Sequence, residues 1–244
     1  MAKYGCIGKK LTHSFSKEIH AKLADYAYEL IELSEEEIDP FFRKKEFAAI
    51  NVTIPYKQTV IPYLDSVSEV ARKIGAVNTI VNCDGKLCGY NTDFAGMCAL
   101  IERLGLTLKD KKVAILGTGG TSKTARAVSA HLGAREILVV SRTAREGVIE
   151  YAALTAVHTD IEILINTTPV GMYPHPDAQP IDLSRFSWLE GVLDAVYNPL
   201  RTQLVLQARA NRARAQSGLY MLVAQAAAAC ELFLGEKLPP QTLD

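Results

Sequence analysis

The sequence has no surplus of charge of either sign. Its 27 lysine and arginine residues cancel its 27 aspartate and glutamate residues, and the formal net charge at pH 7 is +0. A protein that binds a polyanion needs a concentration of basic side chains on its surface. We therefore expect no nucleic-acid partner for this chain.

Long apolar runs are also missing. The N-terminal stretch MAKYGCIGKK contains too short an apolar segment for a secretory signal peptide. The most apolar stretch, LVAQAAAACELFL, is interrupted by Gln225 and Glu231. This pattern predicts a buried helix instead of a membrane span. We therefore expect a cytoplasmic protein with no membrane partner.

Cysteine and histidine patterns typical of metal centres are absent. The 5 cysteines are scattered, odd in number and form no C-x-x-C pair, which indicates reduced thiols in a cytosolic protein. The 5 histidines form no H-E-x-x-H motif or comparable pattern. We therefore predict no metal site.

What the sequence does contain is an alternation of short apolar runs with helical patterns along its 244 residues. In the first half, strands are predicted at KYGCIG, YELIEL, FAAINV and VNTIVN, with helices at KEIHAKLADYA and EEEIDPFFRKK between them. Asp84-Gly85 is a hairpin turn signal, so the strands at 77–82 and 86–90 should pair antiparallel. TDFAGMCALIERLG follows as a long amphipathic helix, which Thr92 can cap.

The second half repeats the alternation. A buried strand KKVAILG leads through a glycine-rich turn into the helix TSKTARAVSAHLG, and EILVVS, EILINT, GVLDAV and two more helices follow. Alternation of this kind predicts a parallel sheet covered on both faces. The fold class is therefore α/β with two domains: an N-terminal one with a mixed sheet and a Rossmann-type, doubly wound one, with a boundary near residue 98.

One connection in the second half is unusually short. Only three residues, at positions 144–146, separate EILVVSRT from GVIEYAAL, which is itself strand-like, whereas a parallel crossover needs a dozen or more. Either GVIEY is not the next parallel strand, or the crossover is reduced to a loop. We expect a thinned edge of the second sheet at this point.

The turn VAILGTGGTSKTA has the context of a dinucleotide site, because it follows a predicted strand and precedes a predicted helix. Glycine permits the sharp turn and lets the backbone approach a pyrophosphate, while the helix presents free N–H groups. A tight strand–helix turn without a ligand is the alternative. The candidate cofactor contacts in this turn are Gly117, Thr118, Gly119 and Gly120.

The next strand ends in Ser141, Arg142 and Thr143. A cofactor with a bare ribose is normally held by an acidic side chain at this point. Arginine instead suits a 2′-phosphate, so we predict NADP; a solvated strand-end arginine is the alternative. Contacts on the nicotinamide side are predicted in INTTPVGM, at Asn166, Thr167 and Met172, although Met172 could equally be a packing residue.

Polar residues recur at strand ends in the first half. The candidates are Ser14, Ser16, Asn51, Thr53, Lys57, Asn78, Asn91, Thr92 and Asp93. Such hydroxyls and amides suit a small polyhydroxylated ligand, although turns favour these residues anyway and either serine could be only a helix cap. A lysine just past a strand tip can be a solvated surface residue or a proton donor.

These segments together resemble the shikimate dehydrogenase family. The matching motifs, in order, are S-x-S at Ser14 and Ser16, N-V-T-x-P-x-K at 51–57, G-A-x-N-T at 75–79, G-x-N-T-D-x-x-G at 89–96, the glycine turn, the R-T pair, N-x-T-x-x-G-M at 166–172, D-x-V-Y-N-P at 194–199 and G-L-x-M-L-x-x-Q at 218–225. They extend over nearly the whole chain, and several are specific on their own.

The resemblance implies an NADP-dependent oxidoreductase that reversibly reduces 3-dehydroshikimate to shikimate in the chorismate pathway of aromatic amino-acid biosynthesis. It implies a substrate-binding domain over 1–97, completed by C-terminal helices within 216–244, and an NADP-binding domain over 98–215. By position, the catalytic residues are Lys57 and Asp93. The implied substrate contacts are Ser14, Ser16, Asn51, Thr53, Asn78, Tyr197 and Gln225, and Gly218 joins the cofactor contacts.

In the implied reaction, Lys57 acts as a general acid toward the developing alkoxide, and Asp93 orients its ammonium group. The serine hydroxyls are the best candidates to bind the substrate carboxylate. The chain departs from the family at Ser141, where asparagine is usual, at Thr124, a small-residue position, and in lacking a helix after Arg145. These departures concern cofactor affinity more than the chemistry.

Other functions fit the same sequence. A quinate or dual quinate/shikimate dehydrogenase would share Lys57 and Asp93, although Arg142 favours NADP and hence the biosynthetic reaction. An enzyme for a folate-type substrate fits the hydroxyl-rich first domain less well. A non-catalytic sensor of shikimate-like acids would have no need of a proton donor, and nothing supports a regulatory subunit. We expect a monomer or homodimer whose partner is its small-molecule substrate.

Overall fold

The computed structural model describes residues 4–12, 14–239 and 242. Lys3, the first residue of the predicted strand KYGCIG, lies outside the described residues. The chain divides into two compact units: Met1–Ala95 with Val223–Asp244, called unit 1 here, and Gly96–Leu222, called unit 2. In the part of the chain that is described, no helix is both long and apolar enough to cross a bilayer.

Strands and helices alternate in both units. In chain order they are β1 (Tyr4–Gly8), α1 (Ser16–Leu23), β2 (Tyr28–Glu32), α2 (Glu35–Lys44), β3 (Ala49–Val52), β4 (Ser66–Val67), α3 (Glu69–Ile74), β5 (Thr79–Cys83), β6 (Lys86–Tyr90), α4 (Thr92–Arg103), β7 (Lys112–Leu116), α5 (Gly120–His131), β8 (Glu136–Ser141), β9 (Ile149–Glu150), α6 (Tyr151–Val157), β10 (Ile163–Asn166), β11 (Gly191–Asp194), α7 (Gln203–Ala210), β12 (Arg214–Ser217) and α8 (Leu219–Leu234). Short 3₁₀ helices cover Ile61–Tyr63 and Leu183–Arg185.

The sheet of unit 1 is mixed, in the order β2-β1-β3-β5-β6-β4. β1 runs parallel to β2 and β3, while β5 runs antiparallel to β3 and β6. The predicted hairpin is therefore confirmed. Its two strands are joined through Asp84 and Gly85, which both adopt positive φ angles, as a turn of this kind requires.

The two faces of this sheet carry different cores, because successive side chains of a strand point to opposite sides. On one face, Cys6, Tyr28 and Ala49 pack with Ala229 and Phe233 of α8. The opposite face packs against α2 and the segment after β3, through Ile7, Ile38, Phe42, Ile50, Val52 and Tyr56. The alternation along β3 places Asn51 on the α8 face, with Ala49.

The sheet of unit 2 is parallel throughout, in the order β12-β11-β10-β7-β8-β9. Read from β9, this is the order 3-2-1-4-5-6 of a doubly wound dinucleotide-binding fold. The predicted fold class is thus confirmed. The strand order reverses between β7 and β10, so the loops after these two strands lie at the point where such folds bind ligands.

The short crossover after β8 is a loop without a helix. Its backbone closes on itself, since the N–H of Arg145 donates to the Val148 carbonyl at 3.1 Å and the Val148 N–H donates back at 2.8 Å. β9 then pairs parallel with β8 over two residues. The alternative that the crossover is cut to a loop is therefore correct, but the strand-like interpretation of GVIEYAAL is wrong beyond Glu150, because α6 follows at once.

Several short elements escape the sequence pattern. β12 has the sequence RAQS, which lacks the β-branched and aromatic residues typical of strands. α3 spans only 6 residues and is capped at both ends. The Ser68 side chain accepts from the Ala71 N–H at the N-terminus, and Gly75 is the C-cap residue with φ 70. Thr92 was expected to cap α4, but Asn91 does so, since its side-chain oxygen accepts from the Phe94 N–H at 3.3 Å.

Candidate active site

Lys57 and Asp93 form a partly buried ion pair in unit 1. Lys57 lies five residues after the end of β3, and Asp93 occupies the first turn of α4. The Nζ and Oδ2 atoms are 2.5 Å apart, and the two side chains are only 20% and 14% exposed. Lys57 is therefore not a freely solvated surface lysine, which was the alternative to a proton donor. A shielded pair of this kind holds the ammonium group in one direction.

Four buried amide and hydroxyl side chains form a continuous hydrogen-bond network, and one of them, Thr92, directly precedes Asp93 in the sequence. The Asn51 amide nitrogen donates to Thr79 Oγ1 at 3.1 Å and to the Asn78 carbonyl at 3.3 Å. The Asn78 side-chain oxygen accepts from the Thr92 N–H at 2.7 Å and from the Thr79 hydroxyl at 3.0 Å. Asn51, Asn78, Thr79 and Thr92 are all buried, so the geometry of the predicted substrate amides is fixed by their mutual hydrogen bonds.

The network reaches helix α8. The Asn78 amide nitrogen donates to Thr92 Oγ1 at 3.0 Å, and Thr92 Oγ1 lies 3.4 Å from Gln225 Oε1. The structure thus brings together three of the predicted substrate contacts, Asn51, Asn78 and Gln225. Thr79 and Thr92 link them, and the G-A-x-N-T and N-T-D motifs were the signal for these two residues. Thr53, another predicted contact, lies half-buried at the end of β3.

Ser14 and Ser16 lie side by side at the start of α1. Their hydroxyl oxygens are 3.2 Å apart, and the Ser16 N–H donates to Ser14 Oγ at 3.3 Å. The N-cap residue of α1 is Phe15, without a side-chain cap hydrogen bond, and Ser16 is the first helical residue. Neither serine is therefore the N-cap of α1. Both serines are half-buried.

Cys6 lies near Lys57 on the α8 face of the sheet. Burial raises the pKa of the Cys6 thiol to about 12, although the nearby Lys57 charge and a hydrogen bond with Tyr28 act in the opposite direction. The thiol is therefore neutral at physiological pH and is not a nucleophile. Among the described residues, no group of three or more histidine, cysteine or acidic side chains could hold a metal ion.

In unit 2, the glycine turn is shaped as the sequence predicts. Gly117 adopts φ +105, and an added Cβ there would meet Thr167 Oγ1 at 2.8 Å, so only glycine fits. Gly119 precedes α5 as its N-cap residue. Apart from the adjoining backbone, no atom of the described residues lies within 4 Å of the Cβ positions of Gly119 and Gly120, so the backbone there is open. The first turn of α5 has no acidic residue, which leaves its positive dipole end for an anion.

The neighbouring strand end carries the predicted adenosine-side residues. Ser141 ends β8, and Arg142 and Thr143 follow it on the exposed surface. The Arg142 charge acts on Tyr151, the first residue of α6: burial raises the pKa of Tyr151, and Arg142 lowers it. The glycine turn and the start of α5 follow β7, and Arg142 follows β8, the parallel neighbour of β7. This arrangement fits a dinucleotide with a 2′-phosphate.

The strand-end segment after β10 is organised by a buried polar cluster. Asn166 donates to Asp194 Oδ1 at 2.9 Å and accepts from the Thr168 hydroxyl at 2.7 Å, and Thr202 donates to Asp194 Oδ2 at 2.6 Å. Burial raises the pKa of Asp194, against the hydrogen bonds from Thr202, the Val196 N–H and Asn166. Asn166 is 0% exposed, so its side chain holds the loop in shape instead of facing solvent.

The remaining predicted residues of unit 2 are spread along strand ends. Thr167 is half-buried and donates to the Leu116 carbonyl at 2.6 Å, and Met172 is 41% exposed. Tyr197 follows β11, and burial raises its pKa. Gly218 separates β12 from α8, and an added Cβ there would lie within 2.4 Å of the Ala195 carbonyl oxygen, so this glycine is required for packing.

Comparisons with known proteins agree with this geometry. A family model described as the shikimate dehydrogenase substrate binding domain matches residues 6–80. A relative from Geobacillus kaustophilus named shikimate dehydrogenase (NADP(+)) is 39% identical over 255 residues, covering 96% of this chain and 92% of the relative. Two crystal structures are similar over 100% of this chain. Shikimate dehydrogenase 1 from Peptoclostridium difficile has a TM-score of 0.89, 33% identity and 96% coverage of that chain. Shikimate 5-dehydrogenase from Thermus thermophilus, in complex with NADP(H) and shikimate, has a TM-score of 0.87, 29% identity and 97% coverage.

Proposed function

Because the chain belongs to the shikimate dehydrogenase family, we propose that it catalyses the reversible, NADP-dependent reduction of 3-dehydroshikimate to shikimate in chorismate biosynthesis. The observation that carries this proposal is the shielded pair of Lys57 Nζ and Asp93 Oδ2, 2.5 Å apart. Reduction of a ring carbonyl creates an alkoxide that needs a proton, and a fixed ammonium group is suited to donate it. A protein that only binds shikimate-like acids has no such requirement.

Unit 1 supplies the substrate contacts in this proposal, and Lys57 is the proton donor. The ammonium group donates its proton to the substrate oxygen as that oxygen becomes negative, and it recovers the proton in the reverse reaction. The Asp93 carboxylate aims the ammonium group and accepts a hydrogen bond from a substrate hydroxyl. Asn51, Asn78 and Gln225 bind ring hydroxyls. Thr53 is a further predicted substrate contact of unit 1, and Tyr197 is a predicted substrate contact that belongs to unit 2.

Unit 2 holds NADP in this proposal. When bound, NADPH supplies the hydride that reduces the carbonyl. The open backbone at Gly119 and Gly120 and the start of α5 receive the pyrophosphate, with Gly117 and Thr118 shaping the turn. Arg142 binds the 2′-phosphate, flanked by Ser141 and Thr143. Asn166, Thr167 and Met172 are the predicted contacts on the nicotinamide side, and Gly218 is a further predicted cofactor contact.

Steady-state oxidation of shikimate and quinate, each with NADP and with NAD, tests the function. We expect the highest kcat/KM for shikimate with NADP. Higher kcat/KM for quinate would identify a quinate dehydrogenase with the same Lys57 and Asp93. Tight binding of shikimate without turnover would support a ligand sensor and contradict the proposal. A cytoplasmic location and a monomeric or homodimeric state stay predictions.

The two serines provide a separate test of carboxylate binding. Their adjacent hydroxyls are neutral donors near the start of α1, where the helix dipole favours an anion. Replacing both residues (Ser14→Ala with Ser16→Ala) should raise KM for shikimate more than it lowers kcat. Loss of two hydrogen bonds to a charged group corresponds to an increase in KM of roughly 100-fold. An unchanged KM for shikimate would remove the serines from the substrate site.

A further inference from the structure

Tyr28 lies behind the substrate amides, and no sequence motif points to it. It is the first residue of β2, it is 4% exposed, and its side chain lies on the α8 face of the sheet. Its hydroxyl donates to Asn51 Oδ1 at 2.7 Å. A buried tyrosine whose hydroxyl bonds a predicted substrate contact is placed to control that contact without touching the substrate.

The ring of Tyr28 is held in place by its neighbours. The His20 imidazole stacks on it, with ring centres 4.1 Å apart and planes inclined by 12°. His20 in turn shares a 2.6 Å hydrogen bond with the Tyr26 hydroxyl. Burial raises the pKa of Tyr28 well above its ordinary value, so the hydroxyl keeps the proton that it donates. Tyr28 is therefore a fixed donor to one predicted substrate-binding side chain, Asn51.

The hydrogen bond from Tyr28 sets a direction that runs through the network. Asn51 Oδ1 accepts, so the amide nitrogen points the other way and donates to Thr79; the Thr79 hydroxyl, having accepted, donates to Asn78 Oδ1. Asn51 and Thr79 thus each accept one hydrogen bond and donate the next one along this path. The hydrogen bonds connect the residues in the order Tyr28, Asn51, Thr79, Asn78, Thr92 and Gln225.

We propose that Tyr28 is a positioning residue for the substrate site, which fixes the amide of Asn51 in the orientation that binds shikimate. The proposal rests on the proposed function and deepens it. Without the Tyr28 hydroxyl, Asn51 Oδ1 loses its donor and the amide gains freedom to rotate. Substrate binding then has to select one amide orientation, which weakens affinity without altering the proton transfer at Lys57.

The chain offers a matched control for this hydroxyl. Tyr56 is also buried, at 1% exposed, and its hydroxyl donates to the Leu33 carbonyl at 2.6 Å. Its ring belongs to the core on the opposite face of the same sheet. Tyr28→Phe and Tyr56→Phe therefore remove one buried hydroxyl each, keep both rings, and differ in whether the lost bond leads to the substrate amides.

The test is a comparison of these variants in shikimate oxidation and in direct shikimate binding by calorimetry. We expect Tyr28→Phe to raise both KM and Kd for shikimate by roughly tenfold, with kcat and the KM for NADP changed less than about threefold. Tyr56→Phe should leave KM and Kd for shikimate at the wild-type values. Equal effects of the two variants on KM, or no effect of Tyr28→Phe, would overturn the inference.

A double variant separates positioning from general damage. In an Asn51→Ala background the amide is gone, so adding Tyr28→Phe should cause less further increase in Kd than it causes alone. If Tyr28→Phe raised Kd for shikimate by the same factor in the Asn51→Ala background as in the wild type, the inference would be overturned. If the unmodified chain neither oxidises nor binds shikimate, the proposed function fails and this inference with it. A normal wild-type reaction together with an unaffected Tyr28→Phe variant overturns the inference alone.

Discussion

Replacing Lys57 by alanine is expected to lower kcat for shikimate oxidation by roughly 10²–10⁴-fold, the usual contribution of a positioned acid–base group. The side chain is only 20% exposed and bonds Asp93 at 2.5 Å, so the variant removes a proton donor that is held in one position. The variant also leaves the Asp93 carboxylate without its cation, which adds negative charge where the alkoxide develops. Stopped-flow and steady-state measurements of NADPH formation at saturating shikimate provide kcat directly.

A second variant of Lys57 separates its role as a proton donor from the effect of its positive charge, and a variant of another lysine serves as the control. Arginine at position 57 keeps the positive charge but does not release its proton in a protein, so Lys57→Arg should remain at least about 100-fold slower than wild type. Lys45→Ala is the matched control, since Lys45 pairs with Asp65 at 3.5 Å with side chains 35% and 47% exposed. It should keep wild-type kcat. A loss of less than about tenfold for Lys57→Ala would exclude Lys57 as the acid–base group.

The fold was predictable where local patterns and tertiary packing agree. The hairpin around Asp84 and Gly85 is an example, because the turn residues alone select the antiparallel pairing of β5 and β6. The glycine turn at Gly117 is another, since its position between a strand and a helix specifies its conformation. The edge strand β12 was not predictable from its sequence, RAQS. Its extended conformation is determined by pairing with β11 and not by the strand propensity of its residues.

The sequence predicted which residues form the candidate site better than it predicted what each side chain does there. The motif residues Asn51, Asn78 and Gln225 come together in one network, but only coordinates reveal the order of donors and acceptors. Asn166 is a predicted contact on the nicotinamide side, and the structure adds that its side chain is fully buried and bonds Asp194. Burial of a single polar side chain depends on neighbours distant in sequence, and periodicity carries no information about it.

His20 makes the stability of unit 1 depend on pH. It is 0% exposed, and burial lowers its pKa from 6.5 to about 4. Because the folded-state pKa is below the unfolded one, protons bind more tightly to the unfolded chain. The contribution of neutral His20 is therefore complete above about pH 6.5 and is lost as the pH falls toward about 4. Its size is about 3 kcal/mol.

Replacement of His20 by asparagine should remove this pH dependence. The asparagine amide can occupy the position of Nδ1, which bonds the Tyr26 hydroxyl at 2.6 Å, and it does not titrate. The variant will lose some free energy of unfolding through the smaller side chain, but that loss is the same at every pH. Between pH 7 and pH 4, the free energy of unfolding should therefore fall by about 3 kcal/mol less in His20→Asn than in wild type.

Hydrogen exchange of backbone amides in β1 and β3 reports this free energy for unit 1 itself, and comparing variants at one pH cancels the intrinsic exchange rate. His175→Asn is the control, because His175 is exposed in unit 2 and should follow wild type at each pH. Parallel pH curves for wild type and His20→Asn would mean that the folded chain protonates His20 as readily as the unfolded chain does, so that the imidazole is charged at pH 4. In that case the neutral, stacked ring behind Tyr28 and Asn51 would have to be replaced by a buried cation.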